Sequence, residues 1–329
     1  MGSSPTLSPQ FTAAFQERAG AGGVLTFAGF MELALYHPAL GYYRQTRNRV
    51  GYGQGTDFYT ATSSGTIFGE MVAAACVTLL GGTDQAREHT FVEIGAEPAG
   101  GVLTGVAHPF AGTRTVRVGE ALEISGPCVV FSNELFDAQP LRRFVRRGMA
   151  WRELGVQLKD GILSEIELGE VTAEWLPGSV NEGYVFDAPQ AAAELAVAIA
   201  AQPWTGLFVA FDYGKSLSEL ATDTPAGTAR AYFQHKQSND LFAQPGEQDL
   251  TGHVCWDWLT TALDQSGFRP TTVESQESFF IHHAGEFVAH AMAAEASRLS
   301  QRKLALMQLL HPSYLGQKFQ VLHGLRKKV

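Results

Sequence analysis

Two carboxylates and an amide follow a short apolar run near the middle of the sequence. The segment FSNELFDAQP, residues 131–140, comes directly after Cys-Val-Val and carries Asn133, Glu134 and Asp137. An apolar run of this length predicts a buried strand, and buried strands usually end in turns of glycine, asparagine or serine. Acidic side chains at such a point make this segment the first candidate for a ligand site.

Polar residues also follow two other apolar runs of the sequence. Glu93 to Gly95 end one of them, and Asp212 to Gly214 end the other. Because ligands bind beyond the carboxyl ends of the strands in a parallel sheet, we expect the three strand ends to line one edge. Alternatively, these residues are polar only because strands end where polar residues begin. For a single strand this explanation is as good as a ligand site, but for three strands together it is the weaker one.

The order of the predicted elements indicates an α/β protein, because apolar strands alternate with helices as in a parallel sheet covered on both faces. Alternating apolar residues over 141–168, with Asp160-Gly161 between two runs, predict an inserted β-hairpin. Helices are predicted over residues 10–18, 25–37, 65–80, 188–201 and about 253–265, followed by two long C-terminal helices. Strands are predicted at residues 91–94, 113–118, 127–131, 206–211, near 271–274 and over 319–322.

A glycine-rich segment, VEIGAEPAGGVL at residues 92–103, begins in the first strand of this sheet and leads into a predicted helix. Glycines let backbone amides approach a ligand, and a helix N-terminus attracts an anionic group. The segment is not G-x-G-x-x-G, because Glu97-Pro98 stand where the middle glycine is expected, so alone it is a weak sign of a cofactor. YGKS at residues 213–216 imitates the end of a phosphate-binding loop, but Val209 replaces the glycine that such a loop needs.

Composition disfavours several classes of protein. The chain has 329 residues, 45% of them hydrophobic, and a net charge of −9, so binding to nucleic acid or membranes by charge is not expected. No stretch reaches the roughly 18–20 apolar residues of a membrane helix, and no secretion signal is apparent. Three widely separated cysteines disfavour a disulfide framework or a zinc site and favour buried thiols in a reducing cytosol.

Histidines and acids elsewhere give weaker indications. The sequence has neither G-x-S-x-G nor H-E-x-x-H, which disfavours acyl transfer and metalloprotease chemistry. His282-His283 are adjacent, so their side chains diverge by about 100 degrees on a helix, and we expect a surface or packing role rather than a metal site.

The segment 226–259 is dense in turn residues, as in functional loops, and carries His235 and His253. Asp249 or Thr251 could instead cap a helix that begins near residue 253, and we favour the cap for Thr251.

In this order, the motifs resemble the MidA-like family of class I S-adenosylmethionine-dependent methyltransferases, which includes mitochondrial complex I assembly methyltransferases. The resemblance spans nearly the whole chain, and NELFDAQP and PGEQDLTGHV are its most specific parts. The matching segments are HPALGYY (37–43), GTDFYT (55–60), FGE (68–70), VEIG (92–95), SNELFDAQP (132–140), FDYG (211–214), GTARAYFQH (227–235), PGEQDLTGHV (245–254) and HPSYLGQKFQVL (311–322).

The resemblance implies a Rossmann-like methyltransferase sheet with helices on both faces. An N-terminal helical segment, residues 1–85, would pack on a methyltransferase-like domain, residues 86–329, that carries the hairpin insertion at about 141–170. The implied cofactor is S-adenosyl-L-methionine, held by the glycine-rich loop, with the N-E-x-x-D-A segment beside the reaction centre. Characterised mitochondrial members are associated with dimethylation of an arginine in a complex I subunit, so a protein side chain is the implied acceptor.

The resemblance also implies roles for individual residues. Glu134 and Asp137, three apart on a helical turn, would hold a cationic guanidinium and orient a nitrogen lone pair toward the methyl group. Asp212, His235 and His253 would assist them. The residues expected to line the cofactor are Glu93, Gly95, Gly100, Gly101, Glu120 and Asn133.

The sequence departs from the family pattern after the first strand of the sheet. Ala-Glu-Pro-Ala replaces the usual Pro-Gly-x-Gly-Thr. About thirty residues separate Gly95 from the strand at Val129, whereas the usual passage needs roughly twice a βαβ unit of about 30. One strand or helix is therefore expected to be missing, together with the acidic residue that usually binds the cofactor ribose. Glu120 is the nearby replacement.

Two functions from different classes stay open. The first is a cytoplasmic methyltransferase that modifies a protein side chain, arginine among the candidates. The second is a non-catalytic relative that has lost the cofactor and binds a partner protein. A nicotinamide dehydrogenase is disfavoured because its full fingerprint is missing. Both open functions involve a protein partner and neither nucleic acid nor a membrane, and the methyl acceptor and the oligomeric state stay undetermined. The loop at 44–56 has glycines and arginines that would permit closure over a ligand.

Overall fold

The structure is a computed structural model that describes residues 7–45, 65–98, 100–297 and 300–327; the GTDFYT motif and residues 46–56 of the expected closing loop lie outside this part. In chain order, the helices are α1 (Pro9–Ala19), α2 (Phe27–Tyr36), α3 (Thr66–Leu80), α4 (Thr83–Ala86), α5 (Gln190–Ala200), α6 (Leu217–Thr222), α7 (Trp256–Gln265), α8 (Gln276–Ala294) and α9 (Gln301–Leu310). The strands are β1 (Val24–Thr26), β2 (Thr90–Ile94), β3 (Gly112–Val116), β4 (Gly126–Asn133), β5 (Arg142–Arg147), β6 (Ala150–Lys159), β7 (Ile162–Val171), β8 (Val185–Ala188), β9 (Trp204–Asp212), β10 (Gly214–Lys215), β11 (Arg230–Phe233), β12 (Lys236–Ser238), β13 (Asp249–Thr251), β14 (Val254–Cys255), β15 (Thr271–Ser275) and β16 (Gln320–Arg326).

Contacts between residues group the chain into two compact units. The first unit contains the described parts of residues 1–47, 136–194 and 215–257, and the second contains those of 48–135, 195–214 and 258–329. The chain passes from the second unit to the first inside the FSNELFDAQP segment, after Leu135. By contacts, α3 and α4 group with the second unit, and the domain boundary after residue 85 stays a prediction. None of the helices in the described ranges is long and apolar enough to cross a bilayer.

The second unit is built on a six-stranded sheet in the order β15-β16-β9-β4-β2-β3. Strands β3, β2, β4 and β9 are parallel, as predicted. The inner strands β2, β4 and β9 carry apolar runs because both faces of the sheet are buried there, whereas the edge strand β3 has the sequence GTRTV and is partly exposed. Val129 and Phe131 pack in one cluster with residues of α3, α8 and α9, while Val130 and Phe208 are buried on the opposite face.

The last two strands make this sheet mixed rather than fully parallel. Ser275 at the end of β15 lies opposite Gln320 at the start of β16, and Gln320 lies opposite Asp212 at the end of β9. Helices α8 and α9 therefore return the chain to the edge that it left. From that edge, β16 runs in the reverse direction, antiparallel to both of its neighbours.

The connection from β2 to β3 contains no helix in residues 95–98 and 100–111. The prediction that the glycines open a helix is therefore wrong. The passage is shortened, as expected, but by more than one element, because residues 117–125 between β3 and β4 contain no helix either. The backbone explains the missing helix after β2: Gly95, Gly100 and Gly105 have φ values of 83°, 139° and 75°, which a right-handed helix does not contain.

The first unit contains the predicted hairpin within an antiparallel sheet of order β1-β6-β5-β8, with β7 also paired to β6. Asp160 and Gly161 join β6 to β7 with φ values of 50° and 76°, so the two-residue turn predicted from Asp-Gly is confirmed. The helix predicted over 25–37 begins later than expected. Residues 24–26 pair with β6, and the Thr26 side chain caps α2 by accepting a hydrogen bond from Gly29 N.

A smaller sheet of order β12-β11-β13 completes the first unit. Asp249 and Thr251 lie in β13 and pair with Tyr232 and Arg230. The helix predicted from residue 253 begins at Trp256, so the prediction that Thr251 caps it is wrong: strand pairing, rather than capping, fixes these residues.

Candidate active site

The carboxyl ends of β2, β4 and β9 lie side by side in the second unit. Ile94 is in register with Ser132, which in turn is in register with Ala210. The residues that follow on each strand therefore share one edge of the sheet, as the sequence predicted for this part of the candidate site. Asp137 belongs to the first unit and is described with it below.

The side chain of Glu93 is hydrogen-bonded to the backbone of the glycine-rich loop at this edge. Its Oε2 accepts a hydrogen bond from Val102 N at 2.6 Å, and a Cβ added to Gly101 would lie 2.4 Å from the same oxygen. Burial raises the pKa of Glu93 to about 7, against the opposing effect of the Val102 hydrogen bond. The carboxyl group thus supports the loop backbone, and Gly101 is the residue that lets the two come so close.

The loop backbone is equally close-packed where it leaves β2. Gly95 has φ 83°, its N–H donates to Val116 O at 2.8 Å, and a Cβ there would lie 2.9 Å from Leu135 Cδ1. A side chain at this position would therefore be strained in both conformation and space. The loop presents backbone, rather than side chains, at the carboxyl end of β2.

Polar atoms at the end of β4 lack partners in the structure. Asn133 Nδ2 donates to Glu134 Oε1 at 3.0 Å, but Asn133 Oδ1 and Ser132 Oγ are buried with no hydrogen-bond partner among the described residues. Buried polar atoms are nearly always hydrogen-bonded, because each unpaired one costs about 1–3 kcal/mol. A ligand with hydrogen-bonding groups at this edge would satisfy them.

Glu134 has a backbone conformation that is uncommon outside glycine. Its φ is 52°, and its N–H donates to Phe211 O at 2.9 Å, which ties it to the end of β9. The helical turn predicted to place Glu134 and Asp137 on one face is therefore wrong, because a left-handed residue cannot begin a right-handed turn. Strained residues of this kind cluster at functional sites, at a cost of about 1–3 kcal/mol each.

Two further predicted site residues belong to this unit. Asp212 is fully buried at the end of β9, and its Oδ1 accepts a hydrogen bond from Tyr213 N at 2.8 Å. Glu120 is exposed in the turn that follows β3, and its Oε2 accepts from Arg117 N at 2.8 Å. Since the end of β3 is in register with the end of β2, Glu120 follows the same edge of the sheet.

In the first unit, four side chains form what we call the tyrosine–aspartate cluster: Tyr36, Tyr43, Asp137 and Asp249. The two aspartates are 5% and 4% exposed, and the two tyrosines are half-buried. Tyr43 OH donates to Asp249 Oδ1 at 2.9 Å, and the rings of Tyr36 and Tyr43 stack with centroids 5.6 Å apart. Burial first, and then the charges of Asp249 and Asp137, raise the pKa of Tyr36, so both carboxylates act on this ring.

Three motifs of the sequence meet in this cluster. Tyr36 OH donates to Ala138 O at 3.0 Å, and Gly252 N donates to Asp137 O at 2.9 Å. The backbone after Glu134 is thereby fixed by the residues around HPALGYY on one side and by PGEQDLTGHV on the other. Sequence reasoning gave no role to Tyr36 or Tyr43, and considered Asp249 only as a possible helix cap. The signal that could have found them was the resemblance of these same two motifs to the family.

His253 lies beside a second buried network of the first unit. Its N–H donates to Thr228 Oγ1 at 3.1 Å, and its Nδ1 is buried without a hydrogen-bond partner among the described residues. Burial, followed by the positive charges of Lys215 and Arg230, lowers the pKa of His253 to about 4, so the imidazole is neutral at pH 7. Asp187 organises this network by accepting hydrogen bonds from the N–H groups of residues 228 and 229 at 2.5 and 2.8 Å.

His235 lies in a different environment from the buried groups of the first unit. It is exposed, and together with Gln234 it forms the turn that joins β11 to β12, with φ values of 62° and 48°. A catalytic role for His235 stays a prediction that its exposed position at a hairpin turn does not by itself support.

Comparison with known proteins connects both units to methyltransferases. A family profile described as "Putative S-adenosyl-L-methionine-dependent methyltransferase" matches residues 114–273, which begin after the glycine-rich loop. The mitochondrial protein arginine methyltransferase NDUFAF7 homolog of Caenorhabditis elegans is 24% identical over 298 residues, covering 73% of this chain and 68% of the relative.

Two crystal structures from Burkholderia thailandensis share the fold. A candidate methyl transferase bound to S-adenosyl-homocysteine has a TM-score of 0.85 at 24% identity, covering 98% of this chain and 95% of that chain. A native structure of a protein from the same superfamily has a TM-score of 0.78, with the same identity and coverage. These likenesses confirm the predicted fold class. The matched profile, over residues 114–273, links this part of the chain to S-adenosyl-L-methionine-dependent methyltransferases, the family that its motifs resemble.

Proposed function

We propose that this protein methylates an arginine side chain of a partner protein, with S-adenosyl-L-methionine as methyl donor. The observation that carries the choice of acceptor is the tyrosine–aspartate cluster, which places two buried carboxylates beside two half-buried aromatic rings. The C. elegans relative, named as a protein arginine methyltransferase, supports the same acceptor.

The edge of the sheet in the second unit fits the cofactor. Gly95, Gly100 and Gly101 present backbone without side chains, and the unpaired Oδ1 of Asn133 is an acceptor for an amino or hydroxyl group. Glu120 supplies an exposed carboxylate for ribose hydroxyls, in place of the acidic residue that the shortened connection lacks. The Glu93 side chain supports the loop by accepting a hydrogen bond from the backbone N–H of Val102, so Glu93 acts on the cofactor through the loop backbone.

The tyrosine–aspartate cluster suits a guanidinium group. Carboxylates of Asp137 and Asp249 form charge-assisted hydrogen bonds with a planar cation, and the faces of Tyr36 and Tyr43 attract it electrostatically. A neutral acceptor, such as a hydroxyl or an amide, would gain nothing from two buried negative charges. The cluster therefore selects for a cationic side chain.

S-adenosyl-L-methionine would supply a methyl group that is already strongly electrophilic, so the residues of this chain mainly orient the acceptor and handle its proton. Guanidinium and methylguanidinium carry the same charge, so each methylation releases one proton from the attacking nitrogen. Glu134, whose strained backbone holds it at the end of β4, is a candidate to accept that proton. His253 is neutral at pH 7 and is the second candidate.

Calorimetric titration with S-adenosyl-L-homocysteine tests the cofactor half of this proposal. We expect binding by the wild-type protein and at least about a tenfold weaker affinity for Gly101→Ala, because the new Cβ would push the loop off Glu93. Gly112→Ala is the matched control, since no atom lies within 4 Å of a Cβ at that position. A folded wild-type protein that gives no heat at millimolar ligand would contradict the proposal.

The non-catalytic alternative has one observation in its favour. No helix follows β2 in residues 95–98 and 100–111, so the helix N-terminus that usually faces an anionic part of a cofactor is missing from this part of the chain. The same titration separates the two functions, because a protein that only binds a partner has no reason to retain affinity for S-adenosyl-L-homocysteine.

Location and partner follow from the same proposal. We infer a protein substrate and a cytoplasmic location, and the location is supported by the three buried cysteines, none of which forms a disulfide. The named C. elegans relative is mitochondrial, so imaging of the tagged protein in its own cells is the test. Mitochondrial or other organellar signal would overturn the cytoplasmic part of the proposal and leave the chemistry unaffected.

A further inference from the structure

Three histidines converge on one carboxylate in the second unit, on elements that carry none of the loop and strand ends described above. We call Glu274, His282, His283 and His323 the histidine–glutamate cluster. Glu274 Oε1 lies 2.9 Å from His283 Nε2 and 3.1 Å from His323 Nε2. Glu274 Oε2 lies 2.7 Å from His282 Nδ1. Each of the two carboxylate oxygens therefore faces at least one imidazole.

Three separate elements bring the cluster together. Glu274 is on β15 and His323 is on the adjacent β16, where they occupy neighbouring positions of the antiparallel pair. The adjacent histidines of α8 diverge on a regular helix, but α8 departs from helical geometry at Ala284, with φ −128° and ψ 17°. This irregularity follows both histidines, and the two reach the same carboxylate because they contact different oxygens of Glu274.

The distances suit a small divalent cation. The ligand atoms of Glu274, His283 and His323 all lie within 4.8 Å of one another. Zinc binds imidazole nitrogen and carboxylate oxygen at about 2.0–2.2 Å, which places neighbouring ligand atoms of a tetrahedral site about 3.3 Å apart. The distances from Glu274 Oε1 to the two imidazole nitrogens, 2.9 and 3.1 Å, are slightly shorter than this value, and no pair of ligand atoms is more than 4.8 Å apart. Small side-chain rotations would therefore place all three atoms around an ion.

The chemistry of the set also favours zinc. Two imidazoles and one carboxylate are the protein ligands of several zinc sites that keep a fourth position for water. Imidazole-rich sets suit zinc, copper and nickel, whereas calcium and magnesium prefer oxygen ligands alone. His282, at the second carboxylate oxygen, would hold Glu274 in orientation, as outer partners of metal ligands commonly do.

The cluster is sheltered but reachable. The side chains of Glu274, His283 and His323 are 14%, 21% and 9% exposed, so little water competes for the ligand atoms. His282 and His283 also line an open groove of about 1250 Å³ beside α3 and α8, whose lining includes Glu70. A metal ion can therefore reach the imidazoles through this groove.

The geometry points to a zinc-binding site in which Glu274 Oε1, His283 Nε2 and His323 Nε2 bind the ion and water completes the coordination. The site would join α8 to the β15–β16 pair and so stabilise the second unit. It is independent of the proposed methyl transfer, since none of these residues belongs to the candidate active site.

Untagged protein, stripped with a chelator and titrated with zinc chloride, tests this inference. We expect one zinc per chain by elemental analysis, a rise in thermal stability on zinc addition, and the visible absorption of tetrahedral cobalt when cobalt replaces zinc. His283→Ala and His323→Ala should each weaken zinc binding by at least about 100-fold, because even outer partners are worth about 10–100-fold. His290→Ala, an exposed histidine of the same helix, is the matched control and should bind zinc as the wild type does.

Glu274→Gln keeps the shape of the side chain, and circular dichroism before titration can confirm that the variant is folded. It therefore distinguishes loss of a zinc ligand from loss of the fold. It should lose zinc affinity while remaining folded. Folded wild-type protein that binds no zinc would overturn the inference. So would zinc binding that survives both histidine substitutions.

Discussion

Replacing Glu93 by glutamine should change how the stability of the protein depends on pH. The carboxyl group is 7% exposed, and burial raises its pKa from 4.5 to about 7 in the folded protein. Between these two values the unfolded chain has lost the proton while the folded chain still holds it. The free energy of unfolding therefore falls as the pH rises from about 4.5 to 7, and is level above that range.

The size of this effect follows from the shift. A difference of roughly 2.5 pKa units at about 1.36 kcal/mol per unit corresponds to about 3 kcal/mol. Glutamine has the same shape, can still accept the hydrogen bond from Val102 N through its oxygen, and does not ionise. We therefore expect Glu93→Gln to gain about 3 kcal/mol of stability relative to the wild type between pH 4.5 and pH 8.

Urea unfolding at several pH values, followed by circular dichroism, measures this difference. Other titrating groups contribute equally to both proteins, so the stability of the variant minus that of the wild type isolates residue 93. Glu88→Gln, the same substitution at an exposed position in the same unit, is the matched control. A difference between Glu93→Gln and the wild type that stays constant with pH would refute the reasoning.

Two further substitutions test other parts of the account. Tyr43→Phe removes the donor to Asp249 Oδ1 and should cost about 1–3 kcal/mol in urea unfolding, with a smaller effect contradicting the buried hydrogen bond. Gly206→Ala should cost on the order of 3 kcal/mol, since φ is 117° and the new Cβ would lie 2.3 Å from Cys128 O. Gly112→Ala has open space and should be nearly neutral; equal thermal unfolding of the two alanine variants would show the packing argument to be wrong.

Much of the fold follows from local patterns in the sequence. Apolar runs predicted the parallel strands because both faces of that sheet are buried, and Asp160-Gly161 predicted its turn because two left-handed residues suit a tight hairpin. Predictions were weaker where long-range pairing overrode a local signal. Residues 249–251 resembled a helix cap but form a strand, because their partners in β11 are far away along the chain.

The candidate site was also predictable where local patterns place its residues, and not where contacts join distant parts of the chain. The strand ends at Glu93 and Asn133 were expected at one edge, and register confirms it for the second unit. Tyr43 and Asp249 are 206 residues apart, and no local pattern indicates that they touch. The angle between His282 and His283 on a helix argued against a metal site built on that pair alone, and the pair does not reveal that Glu274 of β15 and His323 of β16 lie beside it.

Label transfer from S-adenosyl-L-methionine tests the central claim most directly. Purified protein would be incubated with methyl-labelled donor and with proteins extracted from cells that lack the gene, and labelled residues identified by mass spectrometry. We predict label on arginine. Asp249→Asn should lower the rate by at least about 30-fold, corresponding to about 2 kcal/mol for a lost buried charge contact, with affinity for S-adenosyl-L-homocysteine unchanged. Label on another residue type, or an Asp249→Asn protein as fast as the wild type, would contradict the account.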